Sequence, residues 1–249
     1  MVLAVGLHSK YLFHQLDVKT AFLHGELKED VYMAVPDGLS IDSEMACKLN
    51  KSLYGLKQAP RCWNIKFNNF LVSLGFSRSR HDYCLYTKLS TNNTDDLIIV
   101  MYVDDLLIAG NKLNSIEKLK QDLSKRFEMS DCGILKFFLG MKIELLNDEI
   151  SITQNSSIEK LLNKFGMVEC NPVKSPMEKG LQLNNNQNST CDQPYRELLG
   201  SLMYLMLCSR PDICYSVGFM GRYQQNPSDT HWQHLKRIVD TLKEHHQTN

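Results

Sequence analysis

Residues 97–110 read LIIVMYVDDLLIAG, two apolar runs, Leu97–Tyr102 and 106–109, that meet at Val103-Asp104-Asp105. Short runs rich in Val, Ile and Leu around a polar break predict a β-hairpin, here with two carboxylates at its tip. Aiming adjacent acids from the end of a buried strand pair is costly unless a positive charge neutralises them. A hard divalent cation such as Mg²⁺ takes carboxylate oxygen and keeps a substrate phosphate in its shell. The plain alternative is a solvent-exposed Asp-Asp turn, common in hairpins.

A third acid bears on that choice. YLFHQLDV (11–18) reads as a strand with Asp17 near its end. If it neighbours the hairpin, Asp17, Asp104 and Asp105 converge at one edge of a sheet. Three carboxylates can hold two metal ions about 3.5–4 Å apart, the arrangement used for in-line nucleotidyl displacement. Taken alone, Asp17 reads as a strand-end cap. A structural module unrelated to such chemistry would keep the three aspartates apart.

The pattern around these stretches is α+β. Residues 19–30 read as irregular or short helical, and VYMAVPDGL (31–39) as a short strand broken by Pro36. Trp63, Phe67, Phe70, Leu71 and Leu74 recur at three- and four-residue spacing, predicting a helix that starts after Pro60 and ends at Gly75. Residues 82–89 read as a strand and TNNTDD (91–96) as a turn. The stretch 115–127 is a predicted helix with Ser115 as N-cap. Its Glu117, Lys118, Lys120, Asp122, Lys125 and Arg126 read as a mixed solvated face. Residues 136–145 and 149–153 read as a second hairpin across Asn147-Asp148, and 156–165 as a helix closed by Gly166. The Asn-, Gln-, Ser- and Pro-rich stretch 169–193 reads as a linker before three helices over 195–208, 212–223 and 229–243. The expectation is a mixed sheet with helices to about residue 165, then a helical tail.

Composition sets outer bounds. The chain has 249 residues, 43% of them hydrophobic, with 13 Gly, so collagenous, coiled-coil and wholly disordered classes are excluded. Lys and Arg number 28 against 28 Asp and Glu, and a net charge of zero argues against gripping nucleic acid by bulk charge alone. The zero conceals its distribution. Residues 45–81 contain Lys48, Lys51, Lys57, Arg61, Lys66, Arg78 and Arg80 but no acid, with Tyr54 and Trp63 interleaved. Such a block is the footprint of phosphate contacts with stacking platforms, or more blandly a solvated cationic helix face.

No apolar run approaches the roughly 18–20 residues of a membrane span. The start, MVLAVGLHSKYLF (1–13), lacks the basic region and cleavage site of a signal peptide. Eight cysteines lie far apart with no C-x-x-C, which predicts buried, reduced thiols in an intracellular protein. His231 and His234 fall on one predicted helix, but no cysteine pair completes a zinc set.

Several long stretches resemble, in order, the reverse transcriptase region of copia-type LTR retrotransposon polyproteins. They are QLDVKTAFLHGEL (15–27), VYMAVPDGL (31–39), CKLNKSLYGLKQAPRCW (47–63), YVDDLLIAG (102–110), LKFFLGMKIE (135–144), ITQNSSIEKLLNKFGM (152–167) and YRELLGSLMYLMLCSRPDI (195–213). The resemblance implies a polymerase palm, a ferredoxin-like mixed sheet with helices, over 1–154. It implies the start of a thumb over 155–168, a linker over 169–193 and a helical connection over 194–249. RNA-directed DNA polymerase chemistry with two Mg²⁺ ions, Mn²⁺ substituting, is implied as well. The implied partners are an RNA or DNA template-primer and dNTP, with no membrane. The implied setting is intracellular: the cytoplasm, a retrotransposon particle or the nucleus.

Residue by residue, Asp17 matches the first catalytic aspartate, and Asp104 and Asp105 the pair of the Y-x-D-D motif that begins at Tyr102. Val18 matches the residue whose carbonyl also faces metal. Phe22 matches the aromatic gate that crowds a ribose 2′-hydroxyl. Tyr54, Gly55, Lys57 and Gln58 fall in the template- and nucleotide-facing motif before the Arg61 helix. Phe138, Leu139, Gly140 and Met141 match the hairpin that grips the primer end. Lys125 and Lys136 are the candidates for a proton-donating lysine. Family members carry a basic fingers segment ahead of the first aspartate, where this sequence has 16 residues. The expectation is weak or absent primer extension unless fingers are supplied. The competing reading is an inactive, truncated or host-captured remnant that acts at most as a binding module.

Overall fold

A computed structural model describes residues 1–38, 45–91, 95–146, 149–183 and 191–247. The described elements begin with α1 (Val2–His8), β1 (Leu12–Val18), a 3₁₀ turn (Ala21–His24), β2 (Tyr32–Ala34) and β3 (Ala46–Lys48). They continue with α2 (Ala59–Ser73), β4 (Ser77–Arg78), β5 (Leu85–Lys88), β6 (Leu97–Tyr102), β7 (Asp105–Gly110) and α3 (Leu113–Arg126). Then come β8 (Met129–Ile134), β9 (Phe137–Phe138), β10 (Met141–Leu145), β11 (Ile150–Thr153) and α4 (Asn155–Lys164). The last are α5 (Tyr195–Cys208), a 3₁₀ turn (Pro211–Ile213), α6 (Cys214–Gly221) and α7 (Asp229–Gln247). The chain clusters into two units, one of Met1–Leu139 with Leu145–Ile150 and one of Gly140–Glu144 with Ser151–Asn249.

The first unit is built on a six-stranded sheet of order β4-β5-β6-β7-β1-β8. Every neighbouring pair in it is antiparallel, so the expected mixed sheet is corrected. The physical reason is the short connections β4–β5, β5–β6 and β6–β7, which can only reverse the chain, with β1 running against both its neighbours. One face of the sheet supplies Leu16, Val18, Ile99, Met101, Leu106 and Ile108 to a core completed by Trp63, Phe67 and Leu71 of α2 and Ile116, Leu119 and Leu123 of α3. Phe127 sits among the rings of Trp63, Phe67 and Phe70 at 5.2, 5.8 and 5.4 Å between centroids. The Trp63 and Phe70 contacts are edge-on, an arrangement that adds about 0.5–1.5 kcal/mol each beyond area burial.

Local differences from the sequence reading have identifiable causes. Helix α2 starts at Ala59, with Pro60 inside its first turn, where the missing N–H costs nothing. Helix α3 starts at Leu113, and the Ser115 hydroxyl donates to Asp95 over 2.7 Å instead of capping. Lys120 is not solvated but 5% exposed. Its ammonium reaches His14 Nδ1 at 2.9 Å, Glu117 at 3.0 Å and both oxygens of Asp131 at 3.1 and 3.0 Å. The cysteines are all free, as expected, but none is fully buried, and Cys132 and Cys214 are exposed.

In the second unit, α4, α5, α6 and α7 share a core that includes Ile158, Leu161, Leu198, Leu202, Val217, Leu235 and Ile238. The described parts of the stretch read as a linker are laid against this core. Cys170, Met177 and Leu183 pack on it, the Val173 N–H donates to Asp240 O, and the Cys191 N–H donates to Pro227 O. His231 is spent on the start of α7, where its Nδ1 accepts from the Ser228 N–H at 2.9 Å. The Asn147-Asp148 turn, residues 92–94 and the NNNQN stretch lie outside the described residues.

Candidate active site

Strand β1 lies between β7 and β8, and its register with β7 sets Asp17 directly opposite Asp105. Residues opposed across an antiparallel pair present side chains to the same face with Cβ atoms about 4.5–5.5 Å apart. The next residue is tied in as well, because the Val18 N–H donates to the Asp104 carbonyl over 2.8 Å. Asp17, Val18, Asp104 and Asp105 are therefore brought together, and Tyr102, 57% exposed, is the cross-strand partner of Asp105. The aspartates do not lie apart.

Electrostatics at this edge are unfavourable as they stand. Burial pushes the Asp105 carboxyl up, and the charges of Asp104 and Asp17 push it further. Only Gln15, donating from Nε2 at 3.4 Å, pulls the other way. Cys132 on β8 feels the same field: burial and the charges of Asp17, Asp131 and Asp105 raise its thiol. Among the described residues no group of three or more His, Cys, Asp or Glu side chains is closed around a metal position. The donors nonetheless suit a hard cation, being carboxylate oxygens whose mutual repulsion has no positive partner among the described residues.

The tip of the hairpin is held from behind. Val103 has φ 57°, a left-handed conformation that a β-branched residue rarely adopts. The Trp63 indole, buried in the core, donates to the Val103 carbonyl over 2.7 Å. Nothing in the sequence pattern announces this contact, since Trp63 reads only as a core position on its helix.

A second group forms beside the 3₁₀ turn. The rings of Phe22 and Tyr54 meet at 4.7 Å between centroids. Fully buried Ser52 fixes the pairing: its hydroxyl donates to Phe22 O, and its N–H donates to Gly25 O at 3.0 Å. Sequence reasoning missed Ser52, a small polar residue with no motif of its own. Gly55 follows with φ 95°, and a side chain there would meet no neighbour within 4 Å. Gln58 and Arg61 instead line a surface cavity of about 820 Å³ with Lys66 and Arg126, and none of the three aspartates lines it. Lys57 is exposed just ahead of α2. Phe138, Leu139, Gly140 and Met141 form a hairpin turn, with Leu139 at φ 50° and Gly140 at φ 78°, the pair of positive values that a type I′ turn requires. Lys125 pairs with Asp122 at 3.4 Å, while Lys136 is exposed between β8 and β9.

Comparison with known proteins decides the family. The profile of the reverse transcriptase (RNA-dependent DNA polymerase) family matches residues 1–179. The chain belongs to the copia-type reverse transcriptases. It is 43% identical over 241 residues, 92% of its length, to the retrovirus-related Pol polyprotein from transposon TNT 1-94 of Nicotiana tabacum. Identity is 36% over 247 residues, 97% of its length, to the Pol polyprotein from transposon RE1 of Arabidopsis thaliana. A transposon Ty5-1 protein of Saccharomyces cerevisiae is 30% identical over 232 residues, covering 91% of this chain and 75% of that one. This reverse transcriptase chain spans only 18% and 17% of the two Pol polyproteins. The family uses Mg²⁺, a template-primer and dNTPs. No helix of the chain's described residues is long and apolar enough to cross a membrane.

Proposed function

We propose that this chain is the palm and thumb region of a copia-like reverse transcriptase, joining a dNTP to a primer 3′-hydroxyl. The observation that carries this is the cross-strand placement of Asp17 against Asp105, with Asp104 bonded to Val18. In the reaction the 3′-hydroxyl gives up its proton to solvent, its oxygen bonds to the α-phosphorus, the bond from that phosphorus to the oxygen bridging to the β-phosphate breaks, and pyrophosphate leaves. Asp17, Asp104 and Asp105, with the Val18 carbonyl, would hold two Mg²⁺ ions, or Mn²⁺ in their place. When bound, these ions stabilise the developing charge on the attacking and leaving oxygens.

The remaining roles are those of the chain's own side chains. Phe22, braced by Tyr54, offers an aromatic wall beside which only a sugar lacking the 2′-hydroxyl fits. Gly55 leaves open backbone for a nucleotide, and Gln58, three residues on in the sequence, offers a neutral hydrogen-bonding group. Lys57 and Arg61 supply exposed positive charge for the template backbone, and Tyr102 a ring at the primer end. The Phe138–Met141 turn supports that end in the role of primer grip. We assign the palm to 1–154, the start of the thumb to 155–168, the following stretch to 169–193 and the connection to 194–249. Free thiols throughout suit a reducing, intracellular compartment.

Primer extension tests the reading, run on this chain and on the same chain carried within a longer polyprotein. The expected result is metal-dependent incorporation by the longer polyprotein, weak or absent in this chain alone, that disappears in Asp105→Asn. Incorporation that survives Asp105→Asn and Asp17→Asn alike would sink it.

A further inference from the structure

A cavity of about 430 Å³ opens in the second unit at the start of α4. Its lining includes Gln154, Asn155, Lys174, Ser209, Arg210 and Asp212. Gln154 is 2% exposed, and its Oε1 accepts a hydrogen bond from the Ser209 hydroxyl at 2.5 Å. The Gln154 Nε2 is left with no hydrogen-bond partner among the described residues. Buried donors are almost always paired, so an orphaned amide on a cavity wall points to a missing acceptor.

Two further observations specify the acceptor's charge. Helix α4, ten residues long, has no side-chain cap at its N-terminus and no acid in its first turn. Its free N–H groups and the positive end of its dipole are therefore uncompensated. The charged side chains of the lining are Lys174, Arg210 and Asp212, two cations against one carboxylate. Asp212 takes the Arg210 guanidinium on both oxygens at 2.8 and 2.6 Å, and Lys174 forms no ion pair among the described residues. Gln154, Asn155 at the start of α4 and Lys174 all line this one space, bringing an amide, a helix N-terminus and an ammonium to it. That donor set matches a tetrahedral oxyanion better than a planar or uncharged group.

We propose that this cavity is a binding site for a phosphate group. Its volume exceeds that of the bare ion, so the phosphate can be free, carried on a nucleotide, or part of a nucleic-acid backbone. The site stands apart from the polymerase reading and does not rest on it.

The test uses the full chain and two probes. In the first arm, inorganic phosphate is titrated by calorimetry into the wild type, Lys174→Ala and Gln154→Glu. Saturable binding is expected, weaker by at least about tenfold in Lys174→Ala and abolished in Gln154→Glu, since charge-assisted bonds carry that weight. Lys174 is exposed, so its variant carries the test should Gln154→Glu fail to fold. The second arm follows a fluorescein-labelled DNA duplex by anisotropy across a salt series. A loss of affinity in Lys174→Ala, with the salt slope reduced by about one, identifies a backbone phosphate as the occupant. Unchanged duplex binding beside weakened phosphate binding identifies a free or nucleotide phosphate. Phosphate binding that is absent, or that is equal in all three proteins, overturns the proposal. Neither arm requires turnover, so a chain inactive in primer extension can still pass.

Discussion

The indole N–H of Trp63 donates to the carbonyl of Val103 across 40 residues of sequence, fastening the aspartate-bearing hairpin to the core helix beneath it. The bond acts on a residue whose φ is already unfavourable. Trp63→Phe keeps most of the ring packing but leaves that carbonyl without its donor. Equilibrium urea unfolding should report a loss of about 1–3 kcal/mol, and primer extension should fall with it. Full stability with full activity would mean that the bond is incidental.

Strain at Val103 makes a separate prediction with the opposite sign. A left-handed conformation costs an ordinary residue about 1–2 kcal/mol, whereas Asn tolerates it. Val103→Asn is therefore expected to raise stability by about 0.5–1 kcal/mol in the same unfolding measurement. A drop would show that the Val103 side chain contributes more than its backbone costs.

Asp105 is held among like charges with part of its solvation removed. Because its folded pKa is raised, its ionisation opposes folding, and the effect grows as pH rises through 3.8 and above. Asp105→Asn should thus melt higher than wild type in metal-free buffer at neutral pH, while losing extension activity. Added Mg²⁺ should raise the melting temperature of the wild type and leave the variant's unmoved. Equal metal-induced shifts in both proteins would remove Asp105 from the proposed ligand set.

The second unit carries a pH-sensitive helix start. His231 accepts the Ser228 N–H on Nδ1, lies 1% exposed and stacks on Tyr223 at 4.2 Å. Burial, then the charge of His234, lowers its pKa from 6.5. A depressed histidine contributes stability that is fully present above 6.5 and is lost as pH falls through the folded value. His231→Gln preserves an acceptor at the third helical position, as in an S-x-x-Q capping box. Its unfolding midpoint should vary less between about pH 5 and 7 than that of wild type. Parallel pH profiles for the two proteins would contradict this assignment.

How much of this was legible beforehand depends on the range of the interaction. The 97–110 hairpin and Asp17 strand were readable because apolar runs and a polar break are local signals, and the family resemblance then joined them. Lys120 was not readable. Its charge suggests solvent, and its partners His14 and Asp131 come from strands distant in sequence. The acid-free block 45–81 is likewise less positive in space than along the chain. Lys48 pairs with Asp30 and Lys66 with Glu26, acids that lie outside the block. Ser115 misled for the converse reason, its hydroxyl having found Asp95 rather than its own helix.

Lys120 supplies one more expectation. Burial raises the Asp131 carboxyl, but the Gly133 N–H and the Lys120 ammonium together bring it below its ordinary 3.8. Its contribution is present above that value and fades as pH falls. Lys120→Met should cost about 1–2 kcal/mol, less than a fully buried pair because Glu117 and Asp131 remain half exposed. Denaturant unfolding at pH 7 reads the cost directly.

The order of strands in the six-stranded sheet has a consequence for synthesis on the ribosome. Strand β1 leaves the ribosome ahead of both its neighbours, β7 and β8, which are translated much later. Until they appear, the nascent chain exposes β1 with two unpaired edges and an apolar face, which invites association with other chains. The aspartate cluster consequently comes into being only after residue 105 has left the exit tunnel. A polypeptide interrupted before that point carries Asp17 but cannot assemble the site.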